Sequence, residues 1–197
     1  MKVIGLCGGS GSGKGCVSRI LSQRGFAIFD TDNIYHELLD GSLTLKGALC
    51  GAFGDEILTD GRVDRKKLRA VVFADKSGEK LKALNAITHK VILDEVRGGI
   101  SEAEKSGAPC AVVDAPLLFE SGFDKECDLT LAVVADREKR IDRIISRDGI
   151  SRSDAERRID AQISDERLIS LCNFAVFNNG DLDDLCREVS RIVDQIL

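Results

Sequence analysis

A glycine-rich segment near the start of the chain has the residue types and the spacing of a phosphate-binding loop. Residues 8–14 read GGSGSGK and fit the pattern GxxxxGK. Glycines let backbone N–H groups approach a phosphate, and the lysine that ends the loop reaches the β- and γ-phosphates of a nucleotide. A flexible glycine turn with a surface lysine is the competing interpretation. The context favours a phosphate-binding loop (P-loop), because the apolar run Val3 to Cys7 precedes it and apolar residues at helical spacing follow it.

The residue after Lys14 departs from the usual pattern. A P-loop normally has Ser or Thr there, whose hydroxyl binds Mg²⁺, but here Gly15 and then Cys16 follow. Glycine has no side-chain oxygen, and a thiol is a soft ligand that suits Mg²⁺ poorly. We expect phosphates, water and a nearby carboxylate to hold Mg²⁺, since this ion keeps several of its waters. Weak or absent activity is the alternative outcome.

Two aspartates follow the second strand-like run, Phe26 to Phe29. Asp30 and Asp32 would point to the same side if the strand continued that far. A carboxylate in such a place can orient an alcohol and accept its proton during phosphoryl transfer. Helix capping is the competing interpretation, with Asp32 as the N-cap of the helix that follows.

A third carboxylate, Asp114, ends the apolar run Cys110 to Val113. An aspartate at the end of a buried strand is the usual second half of a nucleoside triphosphate site, where it holds Mg²⁺ directly or through water. The missing hydroxyl at position 15 makes this carboxylate more important. An ordinary turn at the end of a strand is the competing interpretation.

Arginines are concentrated between residues 137 and 167. Arg140, Arg143 and Arg147 recur at i, i+3 and i+7, so they share one helical face. Such a face can close over a triphosphate, because the guanidinium fork matches phosphate oxygens. For any single arginine, a solvated pair with a nearby carboxylate is the competing interpretation. The two histidines, His36 and His89, stay unassigned on the residues alone.

The order of strand-like and helical segments predicts an α/β fold. Short apolar strands between helices indicate a parallel sheet of about five strands with helices on both faces. Ligands should then bind beyond the carboxyl ends of the strands. Residues 33–106 are expected to be an all-helical insertion between the second and third strands. Ser153 and Glu156 have the spacing of a capping box.

Composition argues against several classes of partner. The formal net charge of −5 and the absence of Trp argue against a basic nucleic-acid surface and an aromatic stacking platform. The longest apolar run, residues 129–135, is far shorter than the roughly 20 residues of a membrane span. The odd number of cysteines and the lack of CxxC spacing argue against zinc and disulfide scaffolds. We expect a reducing, cytoplasmic location. The cysteines are Cys7, Cys16, Cys50, Cys110, Cys127, Cys172 and Cys186.

Several segments together resemble the dephospho-coenzyme A kinase family of P-loop kinases. They occur in the family's order and cover nearly the whole chain. The sequence PLLFE and the Asp-x-Asp after the second strand are the specific parts, whereas the P-loop alone indicates nucleotide binding. The segments are residues 6–14, FDTD at 29–32, DAPLLFE at 114–120, RDG at 147–149, Arg158 with Gln162, and NNG at 178–180.

The resemblance implies a reaction and an architecture. ATP would phosphorylate the ribose 3′-hydroxyl of dephospho-coenzyme A, giving coenzyme A and ADP in the last step of coenzyme A biosynthesis. A three-layer P-loop kinase fold would form one domain over residues 1–197. Within it, residues 33–106 would be a helical acceptor-binding region, and residues 137–168 would be a helical lid.

The resemblance also implies roles for single residues. Asp32 would be the base near the 3′-hydroxyl, with Lys14 and Arg143 as further catalytic residues and Asp114 as the Mg²⁺ ligand. Two positions depart from the family, since Lys90 and Phe177 stand where it often has Pro and Asp. The ATP-binding residues would be Gly11, Ser12, Gly13, Lys14, Gly15, Cys16, Arg147 and Asn179, and the acceptor-binding residues would be Asp32, Arg65, His89 and Glu120.

Two other functions fit parts of the sequence. One is a different P-loop kinase that acts on a nucleoside or nucleotide, against which the PLLFE segment argues. The other is an ATP-binding regulatory module without catalysis, which Gly15 and Cys16 motivate. The presence of Lys14, Asp32 and Asp114 argues against the second, because a degraded site would lack some of them.

Overall fold

The structure is a computed structural model and describes residues 1–196. Short 3₁₀ turns cover Asp55–Ile57 and Phe123–Glu126. The strands are β1 (Lys2–Cys7), β2 (Ala27–Asp30), β3 (Leu58–Thr59), β4 (Arg62–Val63), β5 (Cys110–Asp114), β6 (Leu129–Val134) and β7 (Phe174–Phe177). The helices are α1 (Lys14–Gln23), α2 (Thr31–Gly41), α3 (Leu43–Phe53), α4 (Arg65–Phe73), α5 (Glu79–Lys105), α6 (Arg137–Asp148), α7 (Arg152–Asp160), α8 (Asp165–Leu171) and α9 (Leu182–Ile196).

A five-stranded sheet has the order β2-β5-β1-β6-β7, with β1 at its centre. Strand β1 runs parallel to β5 and β6, and β6 runs parallel to β7. In this register Leu6 lies opposite Asp114 on one side and Leu131 on the other. Every residue of β5 is buried, as expected for a strand covered on both faces. The predicted α/β fold with a parallel sheet is confirmed.

The chain divides into two compact units, of which the first comprises residues 1–29 and 100–197. Its core lies between the sheet and helices α1 and α9, which contact each other. The apolar residues at helical spacing in α1, Val17, Ile20 and Leu21, are all buried there. Helix α9 buries a whole apolar stripe in the same core: Leu185, Val189, Ile192, Val193 and Ile196.

The second unit, residues 30–99, contains α2, α3, α4 and most of α5 around a small apolar core. The expectation of an all-helical segment is wrong, because β3 and β4 form an antiparallel ribbon. Its two-residue turn has positive φ at both Asp60 and Gly61, a conformation that this residue pair favours. The core residues are Leu39, Leu45, Leu49, Phe53, Ile57, Leu68 and Val72.

Helix ends follow local side-chain chemistry, and one of them differs from the prediction. Helix α7 is capped by Ser151, which accepts from the Asp154 backbone N–H at 3.1 Å, so the expected box at Ser153 and Glu156 is wrong. The cap lies two residues earlier than expected, and Ile150 and Ala155, on either side of it, belong to one apolar cluster, which is the spacing of a hydrophobic staple. Among the helices of residues 1–196, none is long and apolar enough to cross a membrane.

Candidate functional site

The glycine-rich loop joins β1 directly to α1, the strand–loop–helix setting that its sequence predicts. Gly11 and Gly13 have φ of 78° and 95°, which favour glycine. A Cβ at Gly11 would approach the Arg140 carbonyl, and one at Gly13 would overlap the Asn178 amide nitrogen. Both glycines are therefore needed for conformation and for space. Gly13 is the N-cap of α1, so the loop presents the N-terminus of this helix to whatever it binds.

A lysine, a carboxylate and a hydroxyl meet beside this loop. The Lys14 ammonium forms an ion pair with Oδ1 of Asp114, the last residue of β5. The Ser18 hydroxyl, one turn further along α1, donates to Asp114 Oδ2 at 2.6 Å. The side chain of Asp114 is only 4% exposed, so the carboxylate is buried and bonded on both oxygens. Sequence reasoning missed Ser18, although its i+4 spacing from Lys14 places both on one helical face.

Arg143 and Asn178 hold the backbone of the loop. Arg143 donates to the carbonyl oxygens of Gly11 at 3.2 Å and Ser12 at 3.4 Å, and to that of Asn178 at 3.0 Å. The Asn178 side-chain amide donates to the Ser12 carbonyl at 2.8 Å. Arg143 therefore contacts the phosphate-binding loop, as a residue that acts on the ATP phosphates would have to. Asn178 is a second functional candidate that sequence reasoning did not single out.

The Ser12 hydroxyl is buried and lacks a hydrogen-bond partner among residues 1–196. A buried polar group without a partner costs about 1–3 kcal/mol, and such groups in native structures concentrate where function requires them. This observation agrees with the expectation that the loop, including Ser12, takes part in ligand binding.

Arg140 braces the outer part of the same loop. Its guanidinium is 4% exposed and donates to the Ser10 carbonyl at 2.9 Å and to Asp165 at 2.7 Å. Burial raises the pKa of the Asp165 carboxyl, and the Arg140 charge opposes that rise. Gln162 accepts from the Ser10 backbone N–H at 2.9 Å and completes the brace. The arginine face expected from the sequence is thus divided, since Arg140 is buried in protein contacts.

Arg147, the third member of that face, lies in a surface ion-pair group. It pairs with Asp148 at 2.7 Å, and Arg158 pairs with the same carboxylate. Hydrogen bonds from the two guanidinium groups lower the pKa of Asp148 to about 2. Asn179 is also tied to α6, because its side chain accepts from the Asp136 backbone N–H and donates to the Asp136 carboxylate, both at 2.8 Å.

The predicted base, Asp32, belongs to the second unit and lies in the first turn of α2. Asp30 is the N-cap, accepting from the backbone N–H groups of Asp32 at 3.0 Å and Asn33 at 3.1 Å. The competing interpretation, in which Asp32 caps the helix, is therefore wrong. Asp30 and Asp32 also do not alternate along one strand, because helix α2 begins at Thr31 directly after β2. The side chain of Asp32 is exposed and remains available for another role.

The remaining acceptor-binding candidates lie in different elements. Arg65 begins α4 and pairs with Asp40 at 3.6 Å, within the second unit. His89 lies in α5 and is half-buried. Glu120 is exposed in the first unit, between β5 and the 3₁₀ turn at Phe123–Glu126. Their roles stay predictions.

The side chains around Asp114 fit a hard cation that takes most of its coordination from nucleotide phosphates and water. Within residues 1–196, no group of three or more His, Cys, Asp or Glu side chains is arranged to hold a metal ion. One carboxylate and one hydroxyl next to a phosphate-binding loop match the habit of Mg²⁺, which takes one or two carboxylates, water and substrate phosphates. The same oxygen donors suit the softer transition metals poorly.

Comparison with known proteins points to one family. The family model "Dephospho-CoA kinase" matches residues 2–184. A dephospho-CoA kinase from Corynebacterium glutamicum is 40% identical over 195 residues, which are 98% of this chain and 96% of that protein. The crystal structure of TT1252 from Thermus thermophilus has a TM-score of 0.81 at 30% identity, covering 100% of this chain and 98% of that one. Dephospho-CoA kinase from Campylobacter jejuni has a TM-score of 0.71 at 25% identity, with coverage of 100% and 98%.

Proposed function

Because this chain belongs to the dephospho-CoA kinase family, we propose that it transfers the γ-phosphoryl group of ATP to the ribose 3′-hydroxyl of dephospho-coenzyme A. The products are coenzyme A and ADP, and the step is the last one of coenzyme A biosynthesis. The observation that carries the proposal within the structure is the braced loop at residues 8–14 with the Lys14–Asp114 pair beside it.

The phosphate side of the reaction belongs to the first unit. The loop from Gly11 to Gly13 and the N-terminus of α1 supply backbone N–H groups and partial positive charge to the ATP phosphates. Lys14 and Arg143 add full charges that stabilise the phosphoryl group in transfer, where negative charge spreads over its oxygens. Arg143 already contacts the loop, so little reorganisation is needed when ATP binds.

Mg²⁺ is part of the proposal. Bound there, the ion neutralises charge on the β- and γ-phosphates. Asp114 would hold it, directly or through water, and the missing hydroxyl at position 15 leaves the remaining ligands to phosphates and water. Gly15 and Cys16 would contribute only their backbone to ATP binding. Arg147 and Asn179 are assigned to the outer parts of the nucleotide, with Asn179 near the adenine.

The acceptor side is assigned to the other candidates. Asp32 orients the 3′-hydroxyl and accepts its proton as the bond to phosphorus forms. Arg65, His89 and Glu120 bind the rest of dephospho-coenzyme A, with residues 33–106 as the acceptor-binding region and 137–168 as the lid. We place the reaction in the cytoplasm, which suits cysteines that are all present as free thiols over the described residues.

The test is ADP release by the purified protein with ATP and Mg²⁺, compared across acceptors. Dephospho-coenzyme A should be preferred by at least about 100-fold in kcat/KM over uridine and nucleoside monophosphates, because a site built for one acceptor leaves polar groups unpaired with another. Preference for a nucleoside or nucleotide would overturn the acceptor. ATP binding without acceptor-dependent ADP release would favour the regulatory module that Gly15 motivates.

A further inference from the structure

One hydroxyl near the phosphate loop has no assigned role, and it contacts the carboxylate that the proposed Mg²⁺ site requires. Ser18 Oγ donates to Asp114 Oδ2 at 2.6 Å, while Lys14 is paired with the other oxygen. A hydrogen bond of this length to a carboxylate is of the strong, charge-assisted kind. The contact joins helix α1 to the end of β5, two elements that are almost a hundred residues apart in the sequence.

The position of Ser18 explains how it can supply the hydroxyl that Gly15 lacks. Positions 15 and 18 are three residues apart in α1, so they lie on the same face of the helix. A side chain at position 15 would meet open space, since a Cβ there has no neighbour within 4 Å. The loop therefore has room for the usual hydroxyl but lacks it, and the next turn of the same face supplies one.

We propose that Ser18 is a positioning residue for Asp114 and that it replaces, from one turn further along α1, the hydroxyl that a P-loop normally carries directly after its lysine. This inference rests on the proposed ATP–Mg²⁺ site but not on the identity of the acceptor. When Lys14 turns towards the phosphates of bound ATP, Ser18 still fixes the rotation of the Asp114 carboxylate. The carboxylate would then be held in one orientation in which it can bind the metal, directly or through water.

A purely structural role for Ser18 makes a different prediction. Serines within helices commonly bond back to the carbonyl four residues earlier, which satisfies the hydroxyl locally. Here the hydroxyl instead donates across to a buried carboxylate of another element. If that contact served only packing, its loss would destabilise the fold and would change the affinity for ATP equally with and without Mg²⁺. If it positions Asp114, its loss should affect the metal-dependent part of ATP affinity.

The experiment measures ATP affinity by calorimetry in Mg²⁺ and in excess EDTA, with no acceptor present. Ser18→Ala should lose about tenfold of the affinity gain that Mg²⁺ gives, the size expected for a hydrogen bond to a charged group, and should bind ATP in EDTA as the wild type does. Adding Gly15→Ser to Ser18→Ala should restore most of that gain, because the new hydroxyl has space on the same helical face. Ser22→Ala, an exposed position of the same helix, is the matched control and should change neither affinity.

Each outcome separates this inference from the proposed function. If the wild type shows no Mg²⁺-dependent ATP binding, the proposed function fails. If the wild type shows it and Ser18→Ala keeps it, or loses affinity equally in EDTA, only the role of Ser18 is overturned. Should Ser18→Ala fail to fold, the isosteric pair Ser18→Thr and Ser18→Val gives the same test, with the metal-dependent gain expected for Thr and lost for Val.

Discussion

The phosphate loop and the acceptor-side candidates are held in different ways. In the first unit, Arg140, Arg143 and Asn178 reach the loop from positions more than a hundred residues away and bond its carbonyl oxygens. In the second unit, Asp32 and Arg65 are exposed and contact residues of that same unit: the Asp32 backbone bonds Asp30, and Arg65 pairs with Asp40. We infer from this comparison that the loop is preorganised, and we expect the proposed acceptor-binding residues to gain their order when the substrate binds.

The largest difference between the two units should appear when one glycine in each is replaced by alanine. Gly13→Ala places a Cβ on the Asn178 amide at a φ of 95°, so the loop must move and ATP binding should fall at least about 100-fold. Gly47→Ala lies within α3 and meets nothing within 4 Å. It should stabilise the protein by up to about 1 kcal/mol, since alanine favours helix more than glycine. Calorimetry with ATP and thermal melting measure the two effects, and equal effects would contradict a loop that is specifically braced.

A second test removes one arginine from each region. Arg143→Ala deletes hydrogen bonds to three carbonyl oxygens and should cost about 1–3 kcal/mol of unfolding free energy together with ATP affinity. Arg65→Ala removes an exposed contact at 3.6 Å and should change stability by less than about 0.5 kcal/mol while raising the KM for dephospho-coenzyme A. Urea melts and steady-state kinetics measure both. A loss of ATP affinity in the Arg65 variant would contradict the division of roles.

The effect of Gly15→Ser alone should be small. If Ser18 already positions Asp114, an added hydroxyl at position 15 should change turnover by less than about threefold, a margin below the value of one hydrogen bond to a charged group. Kinetics at saturating Mg²⁺ and at limiting Mg²⁺ measure it. An increase of tenfold or more at saturating Mg²⁺ would show that Ser18 does not replace the missing hydroxyl.

The smallest expected effect concerns two aspartates, one in each unit. The pKa of Asp148 is lowered to about 2 by the guanidinium groups of Arg147 and Arg158, and that of Asp75 to about 2 by hydrogen bonds from Ser77 and from the Lys80 backbone. Both contribute stability above pH 3.8 that is lost as the pH falls towards 2. High salt should raise the pKa of Asp148 more than that of Asp75, because salt screens charged partners. Titration of the two carboxyl groups by NMR at low and at high salt measures the difference. An equal shift for the two would contradict the assignment of causes.

The fold and the centre of the site follow from local sequence patterns. Three short-range features are visible in the sequence itself: the glycine spacing, the apolar runs before the loop and before Asp114, and the helical periodicity of α1. Parallel strands then bring Leu6, just before the loop, opposite Asp114, as the register shows. The strand–loop–helix motif and its carboxylate were predictable for this reason.

The contacts that brace the loop were not predictable from the sequence. Whether Arg140 is buried and Arg147 exposed depends on which residues pack beside α6, and one helical face carries both. The bond from Ser18 to Asp114 likewise requires the packing of α1 on β5. Helix α7 is capped at Ser151, next to Ile150, which packs against the apolar cluster of α6 and α7, and spacing alone does not reveal that packing. The roles of Asp32, Arg65, His89, Glu120, Arg147 and Asn179 come from the family resemblance and stay predictions.

The central proposal is that the preorganised loop at residues 8–14 binds the ATP phosphates and that Asp32 acts as the base for the acceptor hydroxyl. The most direct measurement is ATP affinity and dephospho-coenzyme A-dependent ADP release for the wild type and Asp32→Asn. The account predicts unchanged ATP affinity and a turnover that falls by roughly 10²–10⁴, the usual value of a general base. Turnover within about threefold of the wild type would contradict the role of Asp32, and loss of ATP affinity in this variant would contradict the separation of the two sides.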